Sequence, residues 1–284
     1  MVTQTTTTQE ITAPGYTSGG VADRLRRFSW NFTDTFVVAR RNLTRYIRLP
    51  QLLVFSTIQP VMFVLLFAFV FGGAITVPGD FAYIDYLIPG IMVQTVLFGG
   101  SNTTVGLAED LSRGMVDRFR SLPMARSAVL AGRTLADTVR NLFVVVLMVI
   151  VGTLIGFRFQ NGIVSAIAAM LIVVAFGHAF SWISAYLGLI TKDPETAQVA
   201  GFVWVFPLVF ASSAFVPVET MPDWLRAFAE VQPISQTVNA ARFLTLGDAA
   251  PGASIDNVWT AQLWMAGIMA VFVPLSIRQY RRIS

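Results

Sequence analysis

Cysteine is absent from the 284 residues, so disulfides and thiolate metal sites are excluded. Lysine is nearly absent too: of the 20 basic residues only Lys192 is a lysine, and Thr191 precedes it. A phosphate-cradling Walker loop requires Gly-Lys-Ser/Thr, because that lysine must reach the nucleotide phosphates. No such loop can form here, so if ATP drives this chain another polypeptide binds it. Charge of either sign is scarce, at 13% of residues against about 25% in soluble domains. What fills the gap is apolar: 55% of the chain, with a mean hydropathy of +0.64. The apolar residues lie in long runs, the pattern of membrane spans rather than of a large soluble core.

The formal net charge is +4. Its distribution argues against nucleic acid, because the basic residues flank the apolar runs, where anionic lipid headgroups would attract them. Residues 1–20 are rich in Thr and Gly, lack the apolar stretch of a signal peptide, and read as a disordered cytoplasmic tail. Residues 21–50 place Leu25, Phe28, Phe32, Phe36 and Leu43 at near-helical spacing among arginines. That predicts an amphipathic helix lying in the membrane interface.

Residues 51–282 predict about six spans, since roughly 20 helical residues cross about 30 Å of hydrocarbon. They fall near 52–71, 83–100, 135–156, 163–190, 197–215 and 258–277. Pro89 predicts a kink in the second. With the N-terminus inside, seventeen of the 20 basic residues face the cytoplasm and only Arg158, Arg226 and Arg242 lie outside. This is a strong positive-inside bias, with both termini cytoplasmic. Asp137 and its neighbours Arg133 and Arg140 sit near the start of the third span, at spacings that allow pairing at the interface.

Three features bear on function. The segment 101–133 reads as a charged cytoplasmic loop in which Leu111, Met115 and Phe119 form one apolar stripe. A knob seated in a partner and a helix lying on the membrane surface explain that stripe equally well. Outside, Pro217, Pro222 and Pro233 divide residues 215–246 into pieces too short to cross a bilayer. An outer gate and an ordinary amphipathic loop both fit. Within the spans the polar residues are chiefly Gln59, Gln94, His178, Ser181, Ser184, Ser212 and Ser213, with no Asp, Glu, Lys or Arg clearly mid-span. Ion-coupled carriers normally need such charges, so their absence argues against that class. His178 reads first as a hydrogen-bonded packing residue. Candidates for a substrate path are Phe63, Phe67, Gln94, Phe98, Phe206, Phe210 and Ser213. No catalytic constellation is visible.

The segment EDLSRGMVDRFRSLPMARSAVLAGRTLAD resembles the loop between the second and third spans of ABC-2 type permeases, especially the daunorubicin-resistance branch. SSAFVPVETMPDWLRAFAEVQPISQTVNAAR is similar to that family's outer hallmark after the fifth span, and ARRNLTRYIRLPQLLVFSTIQPVMFVLLFAFVFG to its first helix and span. The resemblance implies an all-α membrane fold and a permease of an exporter for a drug-like molecule or lipid. It also implies two copies of a separate ATPase subunit carrying ATP and Mg, and a second permease subunit, the same or a related chain. Glu109, Asp110, Leu111, Arg113, Met115, Asp117 and Phe119 would then couple to the ATPase, and Pro217, Glu219, Trp224 and Pro233 would belong to an outer gate. The chain would bind no cofactor itself and sit in the cytoplasmic membrane among its lipids. Competing readings are a glycolipid or polysaccharide exporter, an ion-coupled carrier and a membrane scaffold.

Overall fold

The computed structural model describes residues 34–44, 48, 50–75, 77–78, 81–115 and 126–283. These residues form helices and connecting turns, and among them there is no strand. Helix α1 covers residues 34–44, and α2 spans Pro50–Leu65, continuing as a π-helical stretch over Leu66–Phe71. Three long helices follow: α3 (Tyr83–Ser112), α4 (Arg126–Ile155) and α5 (Gly162–Thr191). The fifth membrane segment is broken into α6 (Pro194–Val203) and α7 (Val205–Phe210). Two short helices, α8 (Asp223–Val231) and α9 (Pro233–Leu246), precede α10 (Ile255–Ile283).

Helices α3, α4, α5 and α10 are long and apolar enough to cross a membrane, while residues 57–71 and 194–210 are shorter apolar helices. The all-α, multi-pass architecture is therefore as expected, but three boundaries move. Helix α3 runs on to Ser112 and α4 starts at Arg126, so most of the expected 101–133 loop is helix. Gly114 takes a left-handed φ of 65°, which interrupts the helix between Leu111 and Met115. The expected stripe is not carried on one continuous helix, and Phe119, its third member, lies outside the described residues. Finally, the fifth segment ends as helix at Phe210 rather than Phe215. The break at Trp204 has a local cause, because the ring of Pro207 cannot accommodate a helical carbonyl at Val203.

Helix α3 is the hub. Nearly all of it is buried, and it packs against α4, α5, α6 and α9. By contrast α10 is mostly uncovered, with Trp259, Leu263 and Val271 exposed as expected for lipid-facing residues. Polar residues concentrate on α3 because its neighbours, not lipid, surround it. Helix α1 turns Val38 and Ala39 onto the start of α4, where Gly132 leaves room for Val38, while Phe36 is exposed. At the C-terminal end of α5, Lys192 adopts a left-handed conformation and the Asp193 carboxylate caps α6 by accepting from the Thr196 backbone N–H at 2.8 Å. That hydrogen bond holds the Asp193 carboxyl below its ordinary range.

The closest backbone approach to a glycine is at Gly90, where a Cβ would overlap the Ala214 carbonyl oxygen. Gly90→Ala should therefore force α3 away from the segment after α7 and destabilise the protein by about 1–3 kcal/mol. A lowered thermal midpoint of the detergent-purified chain checks this; an unchanged midpoint would show that the contact is not tight.

Candidate transport path

Here the outer end means the end carrying α8 and α9, and the inner end the one carrying the arginine-rich segments. At the outer end, residues 211–216 leave the helix at membrane depth, which exposes carbonyls that lipid cannot satisfy. The structure satisfies them with side chains. Gln232 donates to the Ala211 carbonyl, Tyr86 donates to Ser213 O at 3.1 Å, and Tyr83 donates to Phe215 O at 2.9 Å. Arg242, fully buried on α9, supplies the rest. Its guanidinium donates to Ser213 O at 2.6 Å, Ala214 O at 3.3 Å, Tyr86 O at 3.0 Å and Asn239 Oδ1 at 3.1 Å. It also lies over the Tyr86 ring, 3.3 Å from the centroid. A planar fork of N–H donors suits such a cluster of carbonyls better than an ammonium does. The negative end of the α7 dipole adds to the attraction.

From this outer plug a ladder of phenylalanines descends. Phe67 stacks on Phe215 at 4.5 Å, Phe215 meets Phe210 at 5.0 Å, and Phe210 stacks on Phe206 at 4.5 Å. Phe206 reaches Phe98 at 6.5 Å, and Phe98 reaches Phe202 at 5.6 Å. Phe63 joins at the top, 6.0 Å from Phe67. The five phenylalanines expected to line a path thus stand in one contiguous series, with Phe202 and Phe215 as connecting members.

Below the ladder the lining becomes polar. Two adjoining cavities of 260 and 270 Å³ share Asn102, Arg140 and Phe202. The upper is lined by Gln59, Gln94 and Asn141, the lower by Glu109, Arg133 and Asp137. A matched register builds this wall. Arg133 and Arg140 are seven residues apart on α4, and Gly106 and Gly99 are seven apart on α3. A Cβ at either glycine would collide with the facing guanidinium. Arg133 pairs with Asp110 at 2.8 Å, and Arg41 of α1 approaches the same carboxylate at 3.8 Å. Asp137 accepts from Thr103.

These contacts correct two expectations. Asp137 and Arg140 are not surface residues at the start of a span; both are 4% exposed and lie well inside α4. Nor does Arg133 join Asp137 in an ion pair: it joins Asp110. The signal that pointed to this was the paired seven-residue spacing of arginines and glycines on consecutive helices. Arg242 also proves buried rather than an external loop charge.

Of the residues expected to couple to an ATPase, Glu109, Asp110 and Leu111 form the inner end of α3, Arg113 caps it beside Glu109 at 3.7 Å, and Met115 follows Gly114. Asp117 and Phe119 lie outside the described residues. Ser213 belongs to the outer plug, donating to Asn239 Oδ1 at 2.9 Å, and is 2% exposed. Among the outer-gate candidates, Pro217 is buried, Pro233 starts α9, and Glu219 and Trp224 are exposed. His178 is held on both sides. Thr138 donates to Thr134 O and therefore accepts from His178 Nδ1 at 2.8 Å, and Trp182 donates to His178 Nε2 at 3.4 Å.

A multi-pass helical bundle with a sealed outer end, an aromatic ladder and a polar inner groove defines a membrane protein of the permease type. The chain belongs to the ABC-2 type transporter family, whose profile matches residues 33–246. It is 35% identical to a daunorubicin resistance ABC transporter permease protein of Streptomyces coeruleorubidus, over 85% of this chain and 83% of that protein. A probable doxorubicin resistance ABC transporter permease protein of Mycobacterium tuberculosis is 28% identical over 99% of both chains. A putative transport permease of Cyanophora paradoxa is 26% identical over 74% of this chain and 73% of its own length.

Replacing Arg242 by Leu removes the donors to Ala214 O and Tyr86 O while keeping the bulk. The expected loss is about 2–4 kcal/mol of stability, with Arg242→Lys intermediate because it lacks the planar fork. Thermal unfolding in detergent measures both; equal midpoints for all three proteins would contradict the account of the outer plug.

Proposed function

We propose that the chain is the membrane-spanning permease subunit of an ATP-driven exporter. It moves a hydrophobic or amphipathic molecule, a drug-like compound or a lipid, outward across the cytoplasmic membrane. The observation that carries this reading is the polar cavity walled by Phe98 and Phe202, from which a contiguous phenylalanine series leads outward, surroundings suited to both halves of an amphiphile. The similarity to permeases named for daunorubicin and doxorubicin resistance supports an amphipathic aromatic cargo.

This chain has no Walker lysine, so the ATP and Mg would sit on a separate ATPase subunit, and the family resemblance supports two copies of it per complex. The inner end of α3 and the segment after Met115 are where that subunit docks. Asp110, tied to Arg133 and Arg41, makes this end a rigid lever joining α1, α3 and α4. ATP binding draws the two ATPases together and the lever transmits that movement to the groove. The work is a difference in cargo affinity between inward- and outward-facing states.

Val199, Val203 and Phe206 on α6 and α7 are exposed beside a shallow apolar depression, a face suited to a second permease subunit, identical or related. Both termini are cytoplasmic by the arginine distribution.

Affinity purification of the chain from native membranes in mild detergent, followed by mass spectrometry, tests the reading. A Walker-containing ATPase should co-purify in near-equal amount, and Met115→Asp combined with Phe119→Asp should abolish its recovery. Reproducible absence of any ATPase, with the permease still folded, would overturn the proposal.

A further inference from the structure

The two arginines of α4 are treated differently by the protein around them. Arg133 meets the Asp110 carboxylate. Arg140, one cavity higher and 4% exposed, meets no carboxylate among the described residues. Among the described residues its protein acceptor is Asn141 Oδ1 at 3.0 Å, and its buried Nε has no partner there. The nearby Asp137 accepts from Thr103 and forms no ion pair with Arg140. Beside Arg140 the cavity is walled by Gln94, 2% exposed and with its Oε1 unpartnered. A guanidinium stays charged in any environment a protein offers. Burying one without a counter-charge is costly, and charged groups at membrane depth normally pair or mark a substrate site. Gly99 keeps open the space that Arg140 occupies, so the cation is built in rather than tolerated.

We infer that the cavity around Arg140 receives the acidic head group, a carboxylate or phosphate, of an amphiphile whose apolar body lies along Phe98, Phe202 and Phe206. The anion supplies the direct ion pair that no described residue gives Arg140, and the side-chain N–H groups of Gln94 and Asn141 add hydrogen bonds to its oxygens. The role of this ligand as cargo rests on the exporter reading; its binding does not.

The test uses the purified full-length chain in neutral maltoside detergent, without ATPase, so its outcome is separate from the co-purification. Two matched probe pairs are titrated by calorimetry: dioleoyl phosphatidic acid against dioleoylglycerol, and 2-naphthoate against 2-naphthol. In at least one pair the acid should bind about tenfold or more tightly than its neutral partner. The pair that shows the preference tells a lipid headgroup from a free aromatic acid. Arg140→Gln should bring the ratio near one while leaving the neutral probe's affinity unchanged, and Arg140→Lys should keep most of the preference. The wild-type comparison stands even if a variant fails to fold. Equal affinities within both pairs, or a preference that survives Arg140→Gln, would overturn the inference.

Discussion

The guanidinium of Arg242 is the contact on which the outer half of the molecule depends. The membrane segment after α7 abandons helical geometry six residues before Pro217, and a chain in hydrocarbon cannot leave its carbonyls bare. Arg242, together with Tyr83, Tyr86 and Gln232, converts that liability into a joint between α3, α9 and the end of the fifth segment. The acceptors are dipoles rather than a carboxylate, so the joint spreads one charge over several weak partners. An arrangement of this kind closes the outer end without the stiffness of a single strong pair. Gly90 is then required, because the joint draws the Ala214 backbone against α3.

The inner half is organised by the matched seven-residue spacings of α3 and α4. Two glycines on α3 admit two arginines on α4 and bring an ionisable ladder, Asp110, Arg133, Asp137 and Arg140, into the interior. The lower rungs are satisfied within the protein and tie α1 to the bundle. The upper rung faces a cavity. Between the two halves stands the phenylalanine series, whose members come from α2, α3, the broken fifth segment and the turn after it. A polar inner cavity, an apolar middle and a hydrogen-bonded outer end follow from three local devices: small residues opposite large cations, aromatic stacking across helices, and carbonyl capping. On the proposed exporter reading, the groove belongs to an inward-open state and the Arg242 joint is what outward opening must release.

Apolar run length alone locates the four helices long enough to cross a membrane and the two shorter apolar ones, because that signal depends on the bilayer rather than on neighbours. The contacts among the phenylalanines were legible in part: large rings on neighbouring helices meet one another. The helix extents were not. Residues 101–112 are polar enough to read as a loop, yet they are helical because α4, α5 and α6 cover them, with Ser101 donating to the Gly201 carbonyl at 3.0 Å and Thr104 to the Ser184 carbonyl at 3.0 Å. That misplaced start of α4 concealed Asp137 and Arg140 as interior residues. Arg242 was hidden by the same rule that oriented the chain, since a positive-inside count treats any arginine beyond the spans as solvated. Ser213 was recognised as polar at membrane depth, but whether it faces a passage or a carbonyl depends on the fold of residues 211–216, which no periodicity encodes.

The chain contains no cysteine, so single cysteines report accessibility without background. The most direct test places one at Asn102, in the shared wall of the inner cavities, and another at Ser213, in the outer plug. Each variant is challenged with a membrane-impermeant maleimide in inside-out and right-side-out vesicles. The account predicts that Asn102→Cys is labelled from the cytoplasmic side alone and that Ser213→Cys is silent from both. Labelling of Ser213→Cys from outside as fast as Asn102→Cys from inside, or access to Asn102→Cys only from outside, would contradict an inward-open groove beneath a sealed outer end.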